Sequence, residues 1–209
     1  AVWKGLGRTA TGPAATTIRY SIASKLKPIP RDVEKAKRLL KEAGYEKGLK
    51  LRLSTNERKE RIDMAVIMKE QLKEVGIDLS IEVLEWSKYL EMLSKGEHEI
   101  FEIGWTPDAS DPDMVFYPCF HSSAIGGGAN YTWCNNPELD ALILKGRRML
   151  DSPERAAVYT EIQEKMMEFT PAVFQYNGED AVGIRKHITG LRLSPYGYHF
   201  LHTVKPEGK

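Results

Sequence analysis

Two cysteines in 209 residues, Cys119 and Cys134, do not make a zinc site: they form no CxxC pair and no histidine stands at ligand spacing. An even, low count fits either one disulfide in an exported protein or two free thiols in a cytosolic one. An excess of one charge sign is also lacking. With 30 Lys and Arg against 29 Asp and Glu, the formal net charge is +1, which gives no global attraction to nucleic acid or an anionic membrane surface. No apolar run approaches the roughly 20 residues of a membrane span. The opening Ala1-Val-Trp-Lys carries no basic and apolar leader, as a mature or excised chain also would not. Gly126-Gly-Gly128 lacks the Lys-Ser/Thr of a phosphate loop and reads as a surface loop. There is no internal repeat and no low-complexity segment.

What is present is ordinary globular material, 42% hydrophobic and 28% charged, enough for one large domain or two small ones. Mixed runs such as Lys35-Ala-Lys37-Arg38 and Glu57-Arg58-Lys59-Glu60-Arg61 read as solvated helix faces. Residues 1–30, rich in Gly and Pro, read as extended or looping chain. Asp32 then opens a helix with Val33, Ala36, Leu39, Leu40 and Ala43 at helical spacing and Gly44 at its stop. A strand at Leu51 and Leu53 is followed by a helix with Ile62, Ala65, Val66 and Leu72 on one side, stopping at Gly76. Ile77–Val83 alternates as a half-buried strand does. A short helix over Ser87–Leu93 and a strand over Glu99–Gly104 complete the alternation.

That order predicts an α/β fold with a mixed, mostly parallel sheet flanked by helices. Asn136-Pro137-Glu138 and Ser152-Pro153-Glu154 each combine a cap, a first-turn proline and an acid, and so start two further helices. The second carries Val158, Ile162, Met166 and Phe169 inward and is closed by Pro171. Two short strands, Ala172–Tyr176 and Ala181–Arg185, are expected to flank an Asn177-Gly178 turn.

Function centres on the acidic loop Gly104-Trp-Thr-Pro-Asp108-Ala-Ser-Asp111-Pro-Asp113. It follows a strand, the position at which ligands sit in parallel sheets. No glycine lies within the cluster and Pro112 separates two of its acids, so it is no calcium loop, and no metal is expected. A catalytic acid pair needs two distinct environments, and no His–Ser or His–Cys arrangement accompanies it. Asp111-Pro112-Asp113 reads as a helix cap, a first-turn proline and an acid at the dipole. Asp108 has no such duty, so it is the carboxylate available for a cation. Trp86 and Trp105, each ending a strand, can border the same crevice or be core residues; indoles supply flat, cation-tolerant walls.

The ordered set Glu85-Trp86, Lys95-Gly-Glu-His-Glu99, Gly104-Trp105-Thr106 with Asp108, Asp111-Pro-Asp113, Asn130-Tyr131, Trp133-Cys134 and Asn136-Pro-Glu-Leu-Asp140 closely resembles the dipeptide- and oligopeptide-binding proteins that feed bacterial ABC importers, the family 5 extracellular solute-binding proteins. Asp32 to Gly44, Gln71 to Ile77 and Glu154-Arg155 to Tyr159 agree with it in order. The resemblance implies a type II periplasmic-binding-protein-like fold. Residues 1–30 would be an inter-lobe lead-in, 31–190 the carboxyl-terminal ligand-binding lobe, and 191–209 a returning tail that joins an amino-terminal lobe. It implies an extracytoplasmic, non-enzymatic receptor without cofactor, peripheral to the membrane with or without a lipid anchor, whose partners are a peptide or small-molecule ligand and the ABC permease subunits. Asp108 would hold the ligand's ammonium, Trp86 and Trp105 would line side-chain pockets, and Arg58 would stand for the arginine that holds the ligand carboxylate. Relatives carrying nickel chelates, haem, glutathione or sugars keep a non-peptide ligand open, and an Asp108/Asp111 hydrolase is the rival outside the class. In an exported family the short, glycine-rich stretch between Cys119 and Cys134 is expected to be closed by a disulfide.

Overall fold

The computed structural model describes residue 2 and residues 5–207; Ala1, Trp3, Lys4, Gly208 and Lys209, at the outer ends of the expected lead-in and tail, lie outside the described residues. The first half runs β1 (Gly7–Thr9), α1 (Val33–Glu42), β2 (Leu49–Asn56), α2 (Lys59–Lys73), β3 (Ile77–Leu84), α3 (Trp86–Lys95) and β4 (Ile100–Phe101). The second half runs α4 (Asp113–Phe120), a single 3-10 turn (Ser122–Ala124), α5 (Pro137–Arg147), α6 (Pro153–Phe169), β5 (Tyr176–Gly178), β6 (Ile188–Thr189), β7 (Arg192–Leu193), β8 (His199–Phe200) and β9 (Lys205–Pro206).

The parallel sheet has the order β3-β2-β4. Leu49 to Asn56 register with Ile77 to Leu84, and Leu53 and Ser54 with Ile100 and Phe101, so all three strands end at one edge. Leu51 and Leu53 of β2, Leu79 and Ile81 of β3 and Ile100 of β4 pack with Ala65, Met68 and Leu72 of α2. Phe101 packs instead with Tyr89, Met92 and Leu93 of α3. Neighbouring residues of one strand point to opposite faces, so α2 covers one face of the sheet and α3 the other.

Local signals set the helix ends. The Asp32 carboxylate accepts from Lys35 N–H at 2.8 Å, and Glu85 accepts from Ser87 and Lys88 N–H at 2.9 and 3.3 Å. Asn136 and Ser152 cap α5 and α6, each with proline in the first turn. Gly96 ends α3 at φ +71°, where a Cβ would lie 2.7 Å from the Trp133 ring, so chirality and packing both demand glycine.

A second core is helical. Phe116 and Phe120 of α4, Leu139 and Ile143 of α5, and Val158, Tyr159, Ile162 and Met166 of α6 enclose it, together with Ala14 and Ile18. The opening segment thus contributes to this core. β1 pairs antiparallel with β5, and the buried Gln163 amide accepts from Ile22 N–H at 3.1 Å and donates to Tyr20 O at 2.9 Å. Tail strands pair among themselves, β6 with β9 and β7 with β8.

Several expectations are corrected. Asn177-Gly178 lies in β5, held by β1, and residues 181–185 form no strand. α1 buries none of its residues, so its apolar spacing reflects a face left half-covered. Val66 and Phe169 are exposed, at 49% and 52%. Cys119 and Cys134 are free thiols, not a disulfide. The buried Asn130 closes that loop instead: its Nδ2 donates to His121 O at 3.0 Å and Cys134 O at 2.9 Å, and its Oδ1 accepts from Cys134 N–H at 3.1 Å. Cys119 packs against the helical core, where burial pushes its thiol up to about 12.

Candidate ligand-binding site

Beyond the carboxyl edge of the sheet, three segments converge: the β2–α2 turn, the start of α3, and the chain that leaves β4. Arg61 is the residue that links them. It sits on the phase of Ala65, Met68 and Leu72 and is 8% exposed. Its Nη1 donates to Asn56 Oδ1 at 3.0 Å, and its guanidinium carbon lies 5.9 Å from the Trp86 ring centroid, within cation–π range. Its Nη2 faces Gly104, where a Cβ would stand 3.5 Å away. Arg58, the expected arginine, is exposed at the N-cap of α2, with its Nε 3.2 Å from Glu60 Oε2.

Trp86 opens α3, 43% exposed, its ring 6.0 Å from that of the fully buried Tyr89. The Tyr89 hydroxyl donates to the Glu102 carbonyl at 2.8 Å, and burial raises its pKa. Glu102 itself is 6% exposed, and neither carboxylate oxygen has a hydrogen-bond partner among the described residues. Desolvation pushes its carboxyl up to about 7, against the pull of Arg61 and Arg58. Tyr176 of β5 closes this side, its hydroxyl also raised, by burial first and then by the charge of Glu102.

Trp105 is 47% exposed, yet its Nε1 donates to Met114 O at 2.8 Å, which fixes the ring over the start of α4. Asp108 is exposed and makes no hydrogen bond or ion pair among the described residues. Its two acidic neighbours are committed elsewhere. Asp111 accepts from Arg155 Nη1 and Nη2 at 2.9 and 2.8 Å and caps Asp113 N–H at 2.9 Å. Burial alone would raise the Asp111 carboxyl, but the Arg155 and Asp113 hydrogen bonds outweigh it and hold it below the ordinary value. Asp113 pairs with Arg147 at 3.0 Å. The three acids therefore diverge: two lock the loop onto α5 and α6, and the third faces solvent.

The family model for bacterial extracellular solute-binding proteins, family 5, middle region, matches residues 1–127. The chain belongs to this family. The dipeptide-binding protein of Escherichia coli K12 is 32% identical over 99% of the chain, and heme-binding protein A of Haemophilus influenzae is 30% identical over all of it; the chain spans 39% of each. The Helicobacter pylori periplasmic binding protein DppA, solved with the peptide STSA, superposes with a TM-score of 0.83 at 29% identity, over 98% of this chain and 40% of that one. The fold is accordingly that of a type II periplasmic-binding-protein lobe. In this family 5 chain no helix among the described residues is long and apolar enough to cross a membrane.

Sequence reasoning singled out Trp86, Trp105, Asp108 and Arg58 as candidates and passed over Arg61 and Glu102. The structure joins Arg61 to Trp86 directly and, through Tyr89, to Glu102, while Trp105 and Asp108 project from the following loop.

Proposed function

We propose that this chain is the ligand-binding lobe of a peptide receptor for an ABC importer, working outside the cytoplasm and without catalysis. Asp108 carries the proposal: it is an exposed carboxylate beyond the sheet edge, three residues after the fixed Trp105 indole, with no hydrogen-bond or ion-pair partner among the described residues. A desolvated ammonium needs such a partner. In this reading Asp108 takes the ligand's α-ammonium and Arg61, assisted by Arg58, takes its carboxylate, so main-chain groups are held and side chains vary against Trp86 and Trp105. Arg61 is preferred to Arg58 because it is already ordered by Asn56 and aims an Nη2 at the crevice past Gly104. Preorganised donors spend less conformational entropy on binding. The names of the dipeptide-binding relative and of the STSA complex support a peptide ligand. The permease would read the closed form of the complete receptor. Mass spectrometry of small molecules released from the complete receptor, purified without refolding, tests the assignment. Short peptides with free amino ends are expected; haem or a metal chelate as the only released species would reject it.

A further inference from the structure

Nothing in the backbone or the packing of the described residues calls for glycine at position 104. At Gly96 a positive φ and a Cβ only 2.7 Å from the Trp133 ring exclude other residues. Gly104 has its φ outside the left-handed region, so its backbone accepts an L side chain. Chain neighbours aside, a Cβ placed there meets one described heavy atom within 4 Å, Nη2 of Arg61 at 3.5 Å, which is ordinary van der Waals contact. There is room for a side chain, and that room lies directly against the guanidinium. Gly104 is itself exposed, so the gap opens to solvent.

Arg61 is otherwise enclosed. The residue is 8% exposed, its Nη1 donates to Asn56 Oδ1 at 3.0 Å, and the Trp86 ring centroid lies 5.9 Å from its guanidinium carbon. With Nη1 taken and one face covered, Nη2 is the edge turned towards the gap. A hydrogen bond from Nη2 to a carboxylate oxygen spans about 2.8 Å. Such an oxygen needs the same space that a side chain at position 104 would fill.

We propose that Gly104 is a specificity-determining residue: its missing side chain is the port through which the ligand's carboxylate reaches Arg61. The proposal rests on the peptide-receptor reading and adds a selection for a free carboxyl end. An aliphatic side chain here would cover Nη2 and leave the arginine in place, so the site would hold its charge and lose access to it. Substitution at Gly104 adds and removes no charge. A change in ligand preference then reports access alone, which replacing Arg61 cannot do.

The test is calorimetry on the complete receptor, native, Gly104→Ala and Gly104→Val. The ligands are the tightest-binding member of a panel of synthetic di- to pentapeptides with free ends, and its carboxyl-amidated form. The native receptor is expected to prefer the free carboxyl end. Gly104→Ala should weaken binding of the free-ended peptide by about tenfold, and Gly104→Val by more, as for a lost hydrogen bond to a charged group. The amidated peptide, already without that contact, should bind all three proteins within about threefold. In an Arg61→Met background, Gly104→Val should change neither affinity, because the two positions act on one contact. The unfolding midpoint of Gly104→Ala should equal or exceed the native one, since alanine on an accommodating backbone restricts the unfolded chain. A lowered midpoint would return Gly104 to a structural role and overturn the proposal. An undiminished preference of Gly104→Val for the free carboxyl end, or an equal loss with both peptides, overturns the port while leaving the receptor standing. If no peptide of the panel binds the native protein, the receptor reading itself has failed and takes this proposal with it.

Discussion

Removing the charge of Asp111 should loosen the platform from which Asp108 and Trp105 project. The Arg155 guanidinium donates three hydrogen bonds, two to Asp111 at 2.9 and 2.8 Å and one to Gly146 O at 2.9 Å. The Arg155 side chain is only 6% exposed, against 38% for that of Asp111. Removing one partner of a fully buried pair costs about 3–5 kcal/mol, whereas exposed pairs contribute about 0–1 kcal/mol. With one partner buried and the other partly wet, Asp111→Asn should cost about 2–3 kcal/mol. The loss is not one of capping, because asparagine keeps an oxygen for Asp113 N–H. In urea unfolding followed by tryptophan fluorescence, with a slope of about 2–3 kcal/mol/M, the midpoint should fall by about 1 M. The pH dependence has a definite sign. The folded Asp111 carboxyl lies below its ordinary value, so its contribution is present above the unfolded pKa of about 3.9 and is lost as pH falls through the folded one. The gap between native and variant should be constant near neutrality and close in acid. In an Arg155→Met background, Asp111→Asn should cost little. A loss below about 0.5 kcal/mol in the native background, typical of a surface substitution, would refute the clamp.

Glu102 should make the ligand-free chain less stable as pH rises. Its folded carboxyl is raised from 4.5 to about 7, so the stability present below about pH 4.5 declines through about pH 7, by roughly 3 kcal/mol, and Glu102→Gln should flatten that slope. Chemical denaturation from pH 4.5 to 8 reads it; a parallel slope in the variant would contradict the burial of the charge. Gly96→Ala should destabilise by about 2 kcal/mol or more, from a positive φ and a clash with Trp133, whose Nε1 is bonded to Leu93 O at 3.1 Å. A loss within about 0.5 kcal/mol in thermal or urea unfolding would contradict it. Denatured, unreduced protein should present both Cys119 and Cys134 to an alkylating reagent; an unlabelled, oxidised mass would restore the bridge.

The architecture was legible because period and caps agreed. Ile77–Val83 alternates as its half-buried strand requires, and Asp32, Asn136 and Ser152 cap the helices they were expected to open. Asp108 stood out because its acidic neighbours had structural duties, although the Arg155 partner of Asp111 lies 44 residues away and no local pattern announces it. Arg61 was hidden in Glu57-Arg-Lys-Glu-Arg61, taken for a solvated face. Its phase with Ala65, Met68 and Leu72 is the signal that could have found it, since a guanidinium on a buried stripe needs a partner. Glu102 interrupts the apolar run Ile100-Phe101-x-Ile103, which places a carboxylate just past the end of β4. The disulfide was misjudged because chain proximity says nothing about whether a buried asparagine already closes the loop. The half-covered face of α1 could not be foreseen, because spacing shows where a helix is apolar and not what covers it.

The central claim is that Asp108 receives the ligand's ammonium. Calorimetry of the complete receptor, native and Asp108→Asn, against one short peptide with a free amino end and against its amino-acetylated form, tests it most directly. Truncating one side of a desolvated charge pair costs about 2–5 kcal/mol, so the variant should bind the free-amino peptide at least about tenfold more weakly and the acetylated one about as well as the native receptor does. Undiminished affinity of Asp108→Asn for the free-amino peptide would contradict the account.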